Sequence, residues 1–324
     1  MPFWYQPMQW WVWLLWPFAL LMQCISLARR FCFQRGWFKS YQSPLPVVVV
    51  GNISVGGNGK TPFVISLCEL LIKHGYKPGV ISRGYGGKAD AYPLIVNEHT
   101  SGKEAGDEPI LIYQRLQIPV VVDPVRSNAA DYLATQCDVD VIITDDGLQH
   151  YALQRDIEIV VVDGKRRYGN QHIMPMGPLR ESVSRLSDVD FIINNGAIHE
   201  GEATMMLVAS DCKRVDGAPG SLSKQQVNAC AAIGYPPRFF NTLVEQGFTL
   251  DKQVPFADHH AYTVNDFVEQ FDNDKPLLMT EKDAVKCTAF AQPNWWYLPI
   301  DGQLPDTFIQ PFLKKLTQIK ELKC

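Results

Sequence analysis

The fold is read from one stretch: Val47-Val48-Val49-Val50-Gly51-Asn52-Ile53-Ser54-Val55-Gly56-Gly57-Asn58-Gly59-Lys60-Thr61-Pro62. Four β-branched residues without a polar side chain suit a strand covered on both faces, as at the centre of a parallel sheet. A glycine-rich turn follows, then an apolar run, Pro62–His74, that suits a helix. Strand, loop and helix in this order are the setting of a phosphate-binding loop, G-x-x-x-x-G-K-[ST]. Gly59, Lys60 and Thr61 fit that pattern, whereas Ser54 stands where the first Gly is expected. Glycines let backbone N–H groups close around phosphate oxygens, because no Cβ blocks the approach. Ser54, Val55, Gly56, Gly57, Asn58, Gly59, Lys60 and Thr61 are therefore the expected ATP site. Lys60 would reach the β- and γ-phosphates, and the Thr61 hydroxyl would ligate Mg²⁺. The helix N-terminus adds roughly half a unit of positive charge. Pro62 falls in the first turn, where its missing N–H is not needed. A turn that binds nothing is the competing reading; the order of strand, Lys-Thr and helix argues against it.

Outward from this loop, similar apolar runs recur at Gly79–Ser82, Pro119–Val122, Val139–Thr144, Ile157–Val162 and Phe191–Asn194. Ser127–Thr135 lies between two of them and suits a helix. Alternating strands and helices predict a doubly wound α/β P-loop NTPase domain over residues 41–210, with ligands at the carboxyl ends of the strands. Ala209–Gln225 is poorer in long apolar side chains and carries Gly217, Pro219 and Gly220, so a boundary is expected there. A second, smaller α/β domain is expected over 211–324, with strands at Val227–Ile233, Leu277–Thr280 and Trp295–Ile300 and a helix at Arg238–Gln246.

Residues 1–40 read differently. Trp4, Trp10, Trp11, Trp13 and Trp16 crowd together, and no charged side chain precedes Arg29. Trp10–Ala28 nearly reaches the roughly 20 apolar residues a span needs, but Pro17 interrupts it. Gln23, Ser26 and Arg30 recur at helical spacing as a polar stripe. Such Trp density is typical of the membrane interface, and no basic n-region or cleavage site marks a signal peptide. The expectation is a helix lying on the cytoplasmic leaflet, with Arg29, Arg30 and Arg35 near anionic headgroups. A spanning helix and a core helix are the alternatives.

Composition excludes some classes. Of 324 residues, 46% are apolar, enough for a real core, and the net charge of −4 gives no sign of nucleic-acid binding. The eight cysteines form no CxxC pair and sit mostly in apolar runs, so reduced thiols are expected. Nothing in the sequence points to a protein partner.

Other motifs add chemistry. Asp145-Asp146-Gly147 follows the Val139–Thr144 run, where a P-loop protein keeps its Mg²⁺-handling acid; either Asp suits the role. In Gly106-Asp107-Glu108-Pro109, Asp107 reads as a general base for a hydroxyl or as a helix cap, and spacing alone favours the cap. In Asp258-His259-His260, a His beside a carboxylate can orient and tune it; a solvated loop is the plain alternative. Arg83, Arg126 and Arg180 lie near strand ends and suit bidentate contacts to more than one phosphate.

Taken together, these motifs resemble one family, the tetraacyldisaccharide 4′-kinases, or lipid A 4′-kinases. The matching strings are GNISVGGNGKTP, ISRGYGG, GDEP, VDPVR, TDDGLQH, MGPLRES, IGYPPRFF, FADHHAY and TEKDAVK, in one order from Gly51 to Lys286. Ser54 is that family's own form of the loop. The resemblance implies transfer of the ATP γ-phosphoryl group to the 4′-hydroxyl of a tetraacyl disaccharide 1-phosphate, by a peripheral enzyme of the inner membrane's cytoplasmic face. It implies that Asp107 activates the hydroxyl and that His259, rather than His260, is its partner. Asp145 and Asp146 would serve Mg²⁺. Gln149 and Arg180 would stand near the phosphates, with Arg126 and Tyr85 as weaker candidates. The rival classes are a P-loop GTPase switch and a non-catalytic ATP-binding membrane scaffold. A switch would read guanine through N/T-K-x-D; Thr280-Glu281-Lys282-Asp283 has those letters with Lys one place late.

Overall fold

The computed structural model describes residues 3–271 and 274–323; Cys324 lies outside them. The other seven cysteines are free thiols. Eight strands come first in the chain: β1 (Val47–Gly51), β2 (Pro78–Ser82), β3 (Leu94–Ile95), β4 (Val120–Val122), β5 (Val141–Thr144), β6 (Ile157–Asp163), β7 (Phe191–Asn195) and β8 (Ala203–Ala209). A second set follows: β9 (Lys213–Arg214), β10 (Gln226–Ala231), β11 (Thr249–Pro255), β12 (Leu277–Thr280) and β13 (Trp295–Leu298), and then β14 (Ile300–Gln303).

Among the described residues, nine strands form one sheet in the order β14-β8-β7-β6-β1-β5-β2-β4-β3. The central strand β1 runs parallel to both neighbours, with Val49 opposite Thr144 of β5 and Glu158 of β6. Its valines explain its position. Val48 and Val50 enter one core, and Val47 and Val49 enter another on the opposite face. All four are essentially inaccessible, which is why the run carries no polar residue. Each buried valine contributes about 1.5–3 kcal/mol.

Helices cover both faces. In chain order they are α1 (Trp16–Gln34), α2 (Lys60–Lys73), α3 (Gly102–Ala105), α4 (Asp107–Leu116), α5 (Arg126–Gln136), α6 (Pro236–Glu245), α7 (Val264–Val268), α8 (Glu281–Cys287) and α9 (Asp306–Lys323). The first core gathers Phe63 of α2, Ile112 of α4 and Phe308, Phe312 and Leu316 of α9. The second gathers Ala129, Ala130 and Leu133 of α5, with Val12 and Ala19 from the N-terminal segment.

The smaller sheet has the order β11-β10-β12-β13-β9. The expected extent of the second unit, 211–324, needs correction at its far end. Pro299 has no N–H for a ladder and ends β13. The chain then returns as β14, pairs antiparallel with β8, and continues into α9 in the first core. Residues 300–323 thus belong with the P-loop unit. The expected strand Trp295–Ile300 is, for the same reason, two strands in two sheets.

The N-terminal segment holds a surprise of orientation. Ala19, Gln23, Ser26 and Arg30 face the protein, and Arg30 makes a 2.8 Å ion pair with Asp188. The polar stripe is therefore the inner face. The outer face is apolar, with Phe18, Leu21 and Ile25 more than half exposed. Trp10–Gln34 is long and apolar enough to cross a membrane, by length and composition. Arg30, expected among lipid headgroups, is held by Asp188 instead.

Candidate active site

A cavity of about 1060 Å³ opens at the carboxyl ends of β1, β5 and β2, as the sheet rule predicts. The P-loop forms its floor. Gly59 caps α2 at φ +88°, a left-handed conformation that favours glycine. Ser54, the departure from the usual loop, braces it: its Oγ accepts a 3.0 Å bond from Asn58 Nδ2. The Gly177–Glu181 string braces it from outside, with Val55 N–H on Pro178 O and Arg180 N–H on Ile53 O. Gly56 and Gly57, with Asn58, Lys60 and Thr61, line the cavity.

The two aspartates after β5 are unlike. Asp146 sits at φ +51° and receives Lys60 Nζ at 3.4 Å and Arg180 Nη1 at 3.0 Å. Burial alone would raise its carboxyl, but Lys60 and Arg180 hold it below the usual range. Asp145 is 3% exposed, and its Oδ1 has no hydrogen-bond partner. Burial pushes its carboxyl up to about 7, with Glu108 adding and Lys60 opposing. A buried, unpartnered carboxylate oxygen close to a P-loop threonine fits a hard cation. Thr61, Asp145 and Asp146 are an all-oxygen donor set of the kind Mg²⁺ takes, together with phosphate oxygens and water.

Other expected residues fall in distinct places. Arg126 is buried and donates to the Asp146 carbonyl at 2.8 Å, so it shapes the turn that carries both acids. Gln149 lines the cavity, but its amide NH₂ is committed to Asn52 O and Glu181 Oε1 at 3.0 and 2.7 Å. Tyr85, expected near the phosphates, packs on His259 with ring centroids 5.1 Å apart.

His259 comes from the second unit and Asp107 from the first turn of α4. His259 Nδ1 lies 3.2 Å from Asp107 Oδ2. Asp107 is not the cap: Gly106 is, at φ +86°. A Cβ on Gly106 would meet Tyr85 O at 2.6 Å, so the GDEP turn and the RGYGG loop pack backbone to backbone. His260 turns away, stacked on Phe256 at 4.8 Å with its Nε2 3.3 Å from Asp266. The geometry thus joins His259, not His260, to Asp107. The Thr280–Asp283 string meets this same corner. Lys282 Nζ is 3.0 Å from Glu108 Oε1, and Asp283 is fully buried, accepting from Ala232 N–H at 3.0 Å.

Several cavity residues carry no role in the sequence motifs. Arg166 Nη2 donates to Gly57 O, and its neighbour Asp163 also binds Arg238 of α6. Glu108 lines the cavity together with Asp145, whose carboxyl its charge helps to raise. Arg166 lies outside every quoted motif, whereas Arg238 stands within IGYPPRFF, and for both only the fold shows that they reach the cavity.

A P-loop whose lysine shares one cavity with an imidazole that is itself held by a carboxylate defines a nucleoside-triphosphate-dependent phosphotransferase. The family model for tetraacyldisaccharide-1-P 4′-kinase matches residues 11–317, and the chain belongs to that family. It is 63% identical to the tetraacyldisaccharide 4′-kinase of Psychromonas ingrahamii over the full length of both proteins. The enzyme of that name from Vibrio cholerae strain O395 is 54% identical, covering 95% of this chain and 92% of its own. Among solved structures, LpxK of Aquifex aeolicus in complex with ATP matches with a TM-score of 0.80 and 29% identity, over 95% of this chain and 99% of that one. The protein is an ATP-dependent kinase of doubly wound P-loop fold. Neither a guanine-reading switch nor a scaffold finds support: Lys282 and Asp283, the residues that suggested a switch, lie beside the Asp107–His259 pair.

Proposed function

We propose that this kinase moves the γ-phosphoryl group of ATP to the 4′-hydroxyl of a tetraacyl disaccharide 1-phosphate, giving the tetraacylated bis-phosphate precursor of lipid A. The observation that carries this reading is the contact of Asp107 with His259, which lines the same cavity as the P-loop. Asp107 takes the hydroxyl proton as the sugar oxygen bonds to phosphorus, and the bond from the γ-phosphorus to the bridging oxygen breaks, releasing ADP. The work of such a site is mostly positioning and charge stabilisation. Lys60 and Arg180, held on Asp146, spread the charge of the transferring group. Thr61 and Asp145 would hold Mg²⁺, with Asp146 beside them; when bound, the ion neutralises phosphate charge.

The acceptor is a lipid, and α1 supplies a surface for reaching it. Its outward apolar face, with the Trp-rich turn before it, would lie in the membrane interface, leaving the cavity open to cytoplasmic ATP. The enzyme would be peripheral, on the cytoplasmic face of the inner membrane. His259 is contributed by the second unit, so closure of the two units would complete the site and expel water.

The test is transfer of labelled γ-phosphate to tetraacyl disaccharide 1-phosphate in detergent micelles. Label in the lipid is expected. Its absence with folded, ATP-binding protein defeats the assignment.

A further inference from the structure

We infer that Lys282 is a positioning residue that fixes the tautomer of His259, with the ring proton on Nδ1 so that it donates to Asp107 Oδ2. The inference rests on the reading of Asp107 as the base, and it gives the TEKDAVK string a task.

Geometry supplies the argument. Lys282 Nζ lies 3.3 Å from His259 Nε2 and 3.0 Å from Glu108 Oε1. An ammonium has three donors and no acceptor. Beside it, Nε2 must present its lone pair, so the ring proton is on Nδ1. Nδ1 lies 3.2 Å from Asp107 Oδ2, where N–H donates to carboxylate. One competitor exists. Asp258 Oδ1 would favour a proton on Nε2, but it is 3.9 Å away, beyond hydrogen-bond reach. Glu108 keeps Lys282 charged: burial opposes the charge, and Glu108 outweighs it, holding the ammonium above the usual lysine range.

The ring has little freedom to escape this arrangement. His259 sits at φ +60°, in the left-handed region that non-glycine residues seldom adopt. Tyr85 covers one side of the ring. On the other partner, Lys286 Nζ stands 3.6 Å from Asp107 Oδ2 and 3.1 Å from Asp283 Oδ1, and it also donates to His260 O at 3.2 Å. His259 and Lys286 therefore both address Oδ2 of Asp107.

The chemical consequence is specific. An imidazolium beside Asp107 would form a full ion pair and weaken the carboxylate as a base. A neutral imidazole orients the carboxylate without that loss. Lys282 holds the Nδ1–H tautomer by occupying Nε2 with a donor. The string supplies both lysines from one turn of α8, since residues four apart share a helix face.

The experiment is long-range ¹⁵N–¹H correlation NMR on the full chain in micelles, labelled at histidine, with His259 identified from its loss in a His259→Gln variant. Wild-type protein is expected to show His259 as the Nδ1–H tautomer. In Lys282→Met that signature should give way to a mixture or to Nε2–H. Turnover should fall about 10- to 100-fold, with the KM for ATP within about twofold, as expected when only proton acceptance is impaired. Lys282→Arg, which retains donors, should restore the tautomer and part of the rate. A wild-type Nε2–H tautomer overturns the inference without any variant. So does a Lys282→Met protein with unchanged tautomer and turnover. Wild-type protein that shows the expected tautomer but transfers no phosphate would defeat the kinase assignment instead, so the two failures are separable.

Discussion

Asp107 and His259 are separated by 152 positions in the chain, yet their side chains meet at 3.2 Å. No spacing rule links residues that far apart. From its own neighbourhood Asp107 reads as a base or a cap with the cap favoured, and only the family resemblance turns the reading towards the base. Asp107→Ala should lower turnover about 10²–10⁴-fold, the usual worth of a general base, while ATP affinity stays within about twofold. Steady-state kinetics with independent ATP titration check this; wild-type turnover by the variant excludes the base role. His150 offers a second test at this scale. Burial pushes its imidazole down to about 4, with Arg126, Arg155 and Arg29 adding repulsion, and its Nε2 is buried without a partner. The folded state thus binds fewer protons than the unfolded one between these pKa values. Stability is fully present above the ordinary histidine value of about 6.5 and falls as pH drops towards about 4. His150→Gln should flatten that acid limb, read as melting temperature against pH from 7 to 4. Equal slopes for the two proteins would show that His150 stays uncoupled from folding.

Elements differ in how much of themselves the sequence displays. The β1–loop–α2 unit is legible because each part follows from local chemistry: β-branched residues for a strand buried on both faces, glycines for the turn, Lys-Thr-Pro for the helix start. Helix α8 is not legible in this way, because lysines at 282 and 286 look like a solvated face until Glu108, His259 and Asp107 are seen around them. Helix α1 is legible in composition and inverted in meaning. Its Gln23–Ser26–Arg30 stripe suggests contact with water or headgroups, whereas it is the face turned to the protein. The apolar face is left outward, and that sets a prediction. Replacing Leu21 and Ile25 with Glu should weaken binding to anionic liposomes by some hundredfold, since two buried aliphatic side chains contribute about 3 kcal/mol or more. The melting temperature in detergent-free buffer should not change, because both side chains are more than half exposed. Cosedimentation and thermal denaturation measure the two effects. Undiminished liposome binding would mean that another surface carries the membrane contact.

At the scale of the whole molecule, the second unit is an excursion from the P-loop sheet rather than a tail behind it. The chain leaves after β8 and returns through β14, and α9 then completes the first core. The sequence hides this return. Only Pro299 divides what reads as one strand, and Pro311 inside α9 interrupts the helical signal. The two crossings are fastened at one place. Asp301 of β14 accepts from Ser210, at the outgoing crossing, and pairs with Arg115 at the end of α4. Arg115 also holds Glu281 at the start of α8, with bonds of 3.0 and 3.2 Å, both side chains largely buried. One guanidinium thus ties the helix that carries Asp107 to the helix that carries Lys282 and Lys286. Arg115→Met keeps the length of the stem and removes the charge, leaving Glu281 and Asp301 without the guanidinium that joins them. Half-buried carboxylates so stranded should cost about 2 kcal/mol, less than a fully buried pair because Asp301 is partly solvated. The melting temperature should fall by a few degrees, as a change of that size implies for a chain this long. Turnover should fall about tenfold, since Asp107 and His259 must meet across the two units, whereas ATP affinity, which depends on the P-loop side, should stay within about twofold. Calorimetry, nucleotide titration and micelle turnover read the three quantities separately. A variant that loses stability while keeping full turnover would show that the dyad assembles without this clamp, and the coupling between hinge and site would then have to run through α4 and α8 packing alone.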